Sequence, residues 1–255
     1  MKGLSIAEKL LKSLGITEPG EIDLEAIAWT LGIKVKFRPL EGCEARIIGR
    51  GDTAIVTVNS RSVAGRQRFS IAHEIGHWEL HRGQIMVCRP DEAGDLIQKT
   101  SPAEKVADRF AADLLMPSYL FRPALKMYRR LDFDIVRKIG DMFGVSLTAS
   151  AIRLVGSGEH PAILLCHNQN GRRWFVRSSL IPTRWFPRIE LQPESSAMDI
   201  LFGKRSHDPQ LRCVSADAWF DRYDAHKFEI VEQTFRISAD EILTLLIIED
   251  DEMLE

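Results

Sequence analysis

The sequence contains no long apolar run of the kind that crosses a membrane. A membrane-spanning helix needs roughly 18 or more consecutive apolar residues, and polar or charged residues interrupt every apolar stretch of the 255-residue chain well before that length. The first residues, MKGLSIAEKLLKSLG, also lack the long apolar segment and the small-residue cleavage site of a signal peptide. We therefore expect a soluble, cytoplasmic protein with no membrane association.

Cysteine is scarce, and neither sign of charge dominates. The four cysteines stand singly, without CxxC pairs, at positions 43, 88, 166 and 213. In a reducing cytoplasm we expect them to be free thiols that mostly fill the core. The formal net charge of −2 gives no overall basic field that would draw the chain onto nucleic acid. Hydrophobic residues nevertheless make up 45% of the sequence, which is enough for a substantial core.

The N-terminal part of the chain is predicted to form two helices and a small antiparallel sheet. Leucines at helical spacing over residues 4–14 precede Gly15, and Asp23 is typical of a residue that caps the start of a second helix. The stretch IKVKFRP alternates like a strand. The stretch EARIIGRGDTAIVTVNS indicates two further strands that are joined at residues 49–52.

Three helical segments follow. RQRFSIAHEIGHWELHRG, residues 66–83, has apolar residues at helical spacing, and a loop is expected over 83–100. SPAEKVADRFAADLLMP, residues 101–117, starts with a serine cap, and Glu104 completes a capping-box pattern. Residues 132–154 have the rhythm of a helix-turn-helix, but the second helix offers few side chains that read bases, so we do not expect direct DNA binding.

The sequence changes from helical to strand-like patterns after Gly156-Ser157-Gly158. Strands flank the turn at residues 168–171, and two more are predicted at 228–237 and 242–249. The last residues, EDDEMLE, are typical of a solvated tail. The tryptophans of this region are expected in the core, not in a ligand cage, and they are Trp174, Trp185 and Trp219.

Side chains that can bind a metal or transfer a proton are most concentrated in HEIGHWELH, residues 73–81. His73 and His77 are four residues apart, so a helix places both imidazoles on one face, where they can bind one cation. Glu74 is rotated by about 100° from His73 and can act on a water beside that cation. This is the HExxH pattern of zinc peptidases. The motif is short and also occurs by chance in unrelated proteins, but its helical context and apolar neighbours favour a metal site.

Two histidines leave a tetrahedral zinc ion short of one protein ligand. His81 continues the same helix, and three ligands along one helix would splay apart, so a substrate or peripheral role suits it better. Glu104 can reach the metal from the next helix. Asp108, one turn later, can accept a hydrogen bond from the far nitrogen of a ligand histidine. The alternative is that Glu104 only caps its helix and that Asp108 is a solvated charge.

On these motifs the sequence resembles the ImmA/IrrE family of metallopeptidases, which are gluzincin-like enzymes. HEIGHWELH and AEKVADRFAADLLMP carry the resemblance, and DLEAIAWTLGIKV and FGVSLTASAIRL extend it, so that it spans residues 1 to about 155. The chain departs from the family at Val106, where a second glutamate is often found. This departure leaves Glu104 as the clearer third ligand.

The resemblance implies an α+β fold in two parts. A mainly helical zinc-peptidase domain with a small antiparallel sheet would span residues 1–157 and include the helix-turn-helix-like segment 132–154. A mostly β or α/β domain, sensor-like or regulatory, would span residues 158–255.

The resemblance also implies a zinc-dependent endopeptidase that cleaves a helix-turn-helix transcriptional repressor, in stress response or in mobile elements. His73, His77 and Glu104 would be the metal ligands, and Glu74 the general base. Tyr119 and His81 are candidates to contact the substrate or the transition state. The strand AIVTV, residues 54–58, is a candidate edge on which an extended substrate adds.

The main alternative is a transcription regulator or sensor that is stabilised by metal and cleaves nothing. Structural zinc sites are usually closed by four protein ligands, often cysteines, whereas two histidines and one carboxylate leave an open position. An inactive regulatory partner with the peptidase fold is disfavoured by the intact Glu74. Mn²⁺ or Fe²⁺ can occupy the same donor set as Zn²⁺, so the sequence does not fix the metal.

Overall fold

Both units into which the chain divides combine helices with a β-sheet, so the α+β prediction is confirmed. The computed structural model describes residues 3–80, 101–203, 207–208 and 210–255. Residues 1–121 and 142–145 belong to the first unit, and residues 122–141 and 146–255 belong to the second. The loop expected over 83–100, with Cys88, lies outside the described residues.

The first unit begins with two short helices that start at local capping signals. α1 spans Ile6–Ser13 and opens with a capping box, in which the side chains of Ser5 and Glu8 each accept a hydrogen bond from the other residue's backbone N–H. α2 spans Leu24–Thr30, and the Asp23 carboxylate accepts hydrogen bonds from two first-turn amides. Both predicted helices are therefore confirmed.

Three strands follow, and the pairing of one of them differs from the antiparallel prediction. β1 (Ile33–Arg38), β2 (Ala45–Arg50) and β3 (Thr53–Asn59) form a sheet of order β1-β3-β2. β2 and β3 form the predicted antiparallel hairpin, but β1 pairs with β3 in parallel, so the sheet is mixed. The expectation of a free edge at residues 54–58 is wrong, because β3 is the central strand. Alternation of apolar and polar side chains predicts that a segment is a strand, but it does not predict which other strands pair with it.

The remaining helices of this part are α3 (Ala64–Leu80), α4 (Pro102–Leu115) and α5 (Ser118–Leu125). α3 packs along α4 and against β2 and β3. Gly76 lies at the contact between α3 and α4, where an added Cβ would be 3.2 Å from the carbonyl oxygen of Ala107. A residue without a side chain thus lets the backbones of the two helices approach closely.

Two helices precede the second sheet in the chain. α6 spans Phe133–Phe143, and α7 spans Leu147–Gly156. They are bent by 105° at a three-residue break, which is the geometry of the predicted helix-turn-helix-like segment. Within the described residues, no single helix is long and apolar enough to cross a membrane, and α6 and α7 reach that length and apolarity only as this bent pair.

These helices make contacts with the second sheet. α7 packs against β4 (Ala162–Asn168) and β5 (Gly171–Arg177). At the start of α6, the backbone N–H of Phe133 donates a hydrogen bond to Oε1 of Gln233 over 2.8 Å. Both helices thus group mainly with the second sheet, in the compact unit of residues 122–141 and 146–255, and the domain boundary at 157/158 stays a prediction. Periodicity predicts the helices, but only long-range contacts decide which sheet they join.

The second sheet has five antiparallel strands in the order β5-β4-β8-β7-β6. Its further elements are α8 (Ser196–Phe202), β6 (Arg212–Ser215), β7 (Glu229–Arg236), β8 (Ile242–Ile247) and α9 (Asp251–Leu254). The hairpin at 168–171 and the two late strands are confirmed, whereas β6 and α8 were not predicted.

The core of the second unit contains Trp185 and Trp219, as expected, and Trp174 is half-buried. The prediction of a solvated C-terminal tail is wrong, because Met253 is buried and its carbonyl oxygen accepts a hydrogen bond from Trp185 Nε1 over 2.7 Å. Among the three cysteines in the described part of the chain, only Cys166 is buried. The expectation that cysteines fill the core therefore holds for that residue alone.

Candidate metal centre

One helix carries both histidines of the HExxH motif on its buried side. His73 and His77 lie one turn apart on α3, and they are buried together with Glu74. Their rings meet edge to face, with centroids 4.5 Å apart. Their Nε2 atoms lie 2.9 Å from each other. The four-residue spacing therefore makes two ring nitrogens converge on one point, as predicted.

The third member of the cluster comes from α4. Glu104 Oε2 lies 3.1 Å from His73 Nε2, and Glu104 Oε1 lies 3.2 Å from His77 Nε2. All three residues are buried, and their donor atoms lie within 4.8 Å of one another. The structure thus brings together the two histidines and the glutamate that sequence reasoning selected as metal ligands.

The side chain of Glu104 turns toward the histidines and not toward its own helix cap. Ser101 Oγ accepts a hydrogen bond from the Glu104 backbone N–H over 3.3 Å, but the reciprocal half of the predicted capping box is not formed. Hydrogen bonds with His73 and then His77 lower the pKa of Glu104 well below its ordinary value, although burial acts in the opposite direction. The carboxylate is therefore held as an anion at the cluster.

Asp108 fixes the orientation of one histidine. Its Oδ1 atom lies 2.9 Å from His73 Nδ1. An ionised carboxylate can only accept a hydrogen bond, so Nδ1 of His73 donates to Asp108, which would leave Nε2 as the ring nitrogen that coordinates a cation bound at the cluster. This is the contact predicted for Asp108, and it places a carboxylate behind the histidine in the manner of many metal sites.

The three residues fit a divalent cation. Two imidazole nitrogens and one carboxylate are a donor set of catalytic zinc sites, which keep a fourth position open. The donor separations of 2.9–3.2 Å are close to the roughly 3.3 Å expected between two ligands at about 2.0–2.1 Å from a tetrahedral zinc ion. The same donors also bind manganese or iron, so the geometry does not select one metal.

The other predicted site residues lie apart from this cluster or outside the described residues. The Tyr119 hydroxyl donates a hydrogen bond to the Ile16 carbonyl oxygen over 2.8 Å, and the Lys12 ammonium lies 5.0 Å from its ring centre. The Tyr119 side chain therefore contributes to packing within the first unit, and nothing in its contacts supports a transition-state role. His81 is not among the described residues.

Sequence reasoning missed the contacts that hold α3 against the sheet. Trp78 Nε1 donates a hydrogen bond to the Leu31 carbonyl oxygen over 3.0 Å. The ring of Trp78 covers Gly49 of β2, where an added Cβ would lie 2.3 Å from a ring carbon. Gly49 was predicted to lie in the turn at residues 49–52, but it lies inside β2, and a glycine inside a strand often marks a close approach.

Comparison with known proteins gives three similarities. The Peptidase_M78 family, described as the IrrE N-terminal-like domain, matches residues 28–155, about half of the chain. The uncharacterized protein YqaB of Bacillus subtilis is 33% identical over 76 residues, which are 30% of this chain and 42% of that protein. This chain therefore matches less than half the length of that relative.

A solved structure of a Mycobacterium tuberculosis transcriptional regulator is similar over 94% of this chain and 74% of that chain. The TM-score is 0.60 and the sequence identity is 15%. At this identity the likeness shows a shared fold alone.

Proposed function

Because this chain belongs to the Peptidase_M78 family of IrrE N-terminal-like domains, we propose that it is a metal-dependent endopeptidase that cleaves a regulatory protein. The observation that carries the proposal is the buried cluster of His73, His77 and Glu104, in which all donor atoms lie within 4.8 Å. Glu74, the residue after His73 on the same helix, is buried as well. The donor set favours zinc, with manganese or iron as alternatives.

Each residue of the cluster has a separate task in the proposed mechanism. A divalent cation bound there supplies Lewis-acid chemistry toward water and the scissile carbonyl. His73, His77 and Glu104 would hold that cation, and Asp108 would keep His73 in the required tautomer through the 2.9 Å contact with Nδ1. Glu74 accepts a proton from the attacking water and later delivers it to the leaving amine.

The proposed substrate is a helix-turn-helix transcriptional repressor, as the resemblance implied. A repressor encoded beside this chain's gene is the first candidate to test. A repressor cleaved in this way would no longer repress the genes that it controls.

Metal content and cleavage test the proposal together. The parent protein and Glu74→Gln are purified, their bound metal is measured, and each is incubated with the candidate repressor and Zn²⁺ or Mn²⁺. We expect metal in both proteins and cleavage at least about a hundredfold slower in the variant, as for loss of a general base. Glu79→Gln, a change on the same helix outside the cluster, is the matched control and should cleave like the parent.

Two results would contradict the proposal in different ways. Metal in both proteins without cleavage of any candidate repressor would favour a metal-stabilised regulator that works by binding alone. No bound metal in either protein, even after reconstitution, would rule out the proposed site.

A further inference from the structure

The first sheet has one face that is strongly basic and whose cationic side chains are exposed. Cross-strand partners point to the same face of a sheet, and the residues that alternate with the buried Ile33, Ala54, Val56 and Val58 point away from the core. This outer face carries five cationic side chains from the two outside strands, namely Lys34, Lys36, Arg38, Arg46 and Arg50. None of the three strands contains an acidic residue.

These cations form two rows on either side of a neutral centre. β1 and β2 are the outside strands, and β3 contributes Thr53, Ile55 and Thr57 between them. Two interstrand spacings separate the rows, which is about 10 Å. Among the described residues, no ion pair joins any of the five cations to a carboxylate. The nearest acidic residues in sequence are Glu41, Glu44 and Asp52, which stand outside the strands.

The neutral centre continues into an apolar groove at one end of the face. A groove of about 500 Å³ is lined by Trp29 of α2 together with Ile48 and Ile55, and Lys34 and Arg50 border it. Trp29 is 72% exposed and Ile48 is 68% exposed. Large apolar side chains grouped in this way on a surface commonly mark a contact with another molecule. We call this basic face and its groove the sheet platform.

The sheet platform is separate from the metal cluster. α3, which carries His73 and His77, packs against the opposite side of the sheet, where Trp78 covers Gly49. Changes to exposed side chains of the platform therefore leave the metal ligands and the core untouched. Binding to the platform can be measured whether or not the protein cleaves anything.

We propose that the sheet platform is a docking surface for an acidic amphipathic helix of a protein partner. A helix is about 10–12 Å wide, which matches the distance between the two cationic rows. Its apolar stripe would rest on Ile48, Ile55 and Trp29, and acidic side chains on its two flanks would pair with the rows. Electrostatic complementarity of this kind fixes the orientation of a partner and speeds its association.

The side chains favour a protein helix over a nucleic acid. Sheet surfaces that bind single-stranded nucleic acid stack the bases on aromatic side chains of the strands. The outer face of these three strands carries Ile55 and two threonines at its centre. Phe37, the strands' one aromatic residue, shares the opposite face with Val58. The groove suits aliphatic side chains, which an amphipathic helix supplies.

Fluorescence anisotropy with a labelled synthetic peptide tests this assignment. The probe is a helical peptide of about 18 residues, roughly five turns, with a leucine stripe and glutamates on both flanks. A scrambled peptide of the same composition and a labelled single-stranded oligonucleotide are compared with it. All measurements use the Glu74→Gln protein, so the result does not depend on peptidase activity.

We expect the amphipathic peptide to bind at least about tenfold more tightly than the scrambled one, and more weakly as salt shortens the Debye length below about 10 Å. The double change Lys36→Glu with Arg46→Glu should weaken binding about tenfold or more, and so should Trp29→Ala. The matched controls are Lys9→Glu with Arg129→Glu, exposed cations elsewhere, and Tyr223→Ala, an 85% exposed aromatic residue. Both controls should bind like the parent.

Three results would overturn the proposal. They are equal binding of the two peptides, tighter binding of the oligonucleotide than of the helix, and helix binding that survives the changes at Trp29, Lys36 and Arg46. Thermal unfolding of each variant confirms that the fold is retained. Peptide binding without repressor cleavage would support the platform and count only against the proposed peptidase function.

Discussion

His73 Nδ1 lies 2.9 Å from Asp108 Oδ1, although the two residues are 35 positions apart in the chain. The contact joins the helix that carries the HExxH motif to the helix that carries Glu104. It holds the His73 ring so that Nε2 faces Glu104 and His77. The proposed metal site would therefore depend on a residue that contributes no ligand atom to it.

We predict that Asp108→Asn weakens metal binding by about tenfold to a hundredfold, because the carboxylate behind a ligand histidine orients the ring and raises its basicity. Competition with a chromogenic chelator measures the affinity. Asp134→Asn, a change at an 83% exposed carboxylate on α6, serves as the control and should have no effect. An unchanged affinity in Asp108→Asn would show that the hydrogen bond is not needed for metal binding.

Glu104→Gln should lose bound metal while keeping the fold. The amide retains the shape of the side chain but removes the negative charge of a carboxylate whose two oxygens each lie near one imidazole. We expect at least a tenfold drop in metal content after dialysis, measured by elemental analysis. Glu25→Gln, in the exposed first turn of α2, is the comparison. Full metal occupancy in Glu104→Gln would mean that the third ligand is another residue.

Gly76→Ala should weaken both the fold and the metal site. The new Cβ would lie 3.1 Å from a ring carbon of Phe110 and 3.2 Å from the Ala107 carbonyl oxygen, so α4 must shift, and Glu104 with it. Alanine gains roughly 1 kcal/mol in helix propensity, but overpacking costs about 1–3 kcal/mol. We therefore expect a net loss of about 1 kcal/mol in the free energy of unfolding, together with lower metal affinity.

Gly65→Ala is the matched control for that change. It lies in the first turn of the same helix, and an added Cβ there meets nothing within 4 Å. Urea unfolding should show no loss of stability, or a gain of up to roughly 1 kcal/mol. Equal behaviour of the two variants would contradict the close contact between α3 and α4.

His167 should make the protein sensitive to acid. It is fully buried, and neither ring nitrogen has a hydrogen-bond partner in the described part of the chain. Burial, with a smaller contribution from Arg172, lowers its pKa to about 4, whereas an unfolded chain binds the proton near about 6.5. Between these values the unfolded state binds more protons, so the free energy of unfolding falls as pH drops from about 6.5 to about 4.

This linkage amounts to about 3 kcal/mol over the whole window. We predict that His167→Leu is neutral or stabilising at pH 7, since it removes two buried polar atoms, and that it flattens the loss of stability in acid. Denaturant unfolding at several pH values measures both effects. His226→Leu, at an exposed histidine, should leave the pH dependence unchanged. If His167→Leu and the parent lost stability equally between about pH 6.5 and about pH 4, the pH dependence would come from other groups.

Elements with local signals were predicted well. The Asp23 cap, the Ser101 cap and the turn at 168–171 all occur where the sequence indicated, because caps and tight turns depend on a few neighbouring residues. β6 and α8 were missed because they are short and have no strong periodicity. The antiparallel pairing expected for β1 was wrong for a different reason, since strand pairing depends on contacts that are distant in sequence.

The sequence by itself determined the spacing of the metal cluster. Residues four apart on a helix share a face, so His73 and His77, and likewise Glu104 and Asp108, were paired before any fold was known. Only the tertiary structure decided that these two helices pack side by side. It turned the Glu104 carboxylate from its helix cap to the imidazoles, and it left the cationic side chains of the first sheet exposed. Helical geometry repeats within every turn, whereas the partner of each surface is set by how the whole chain buries its apolar groups.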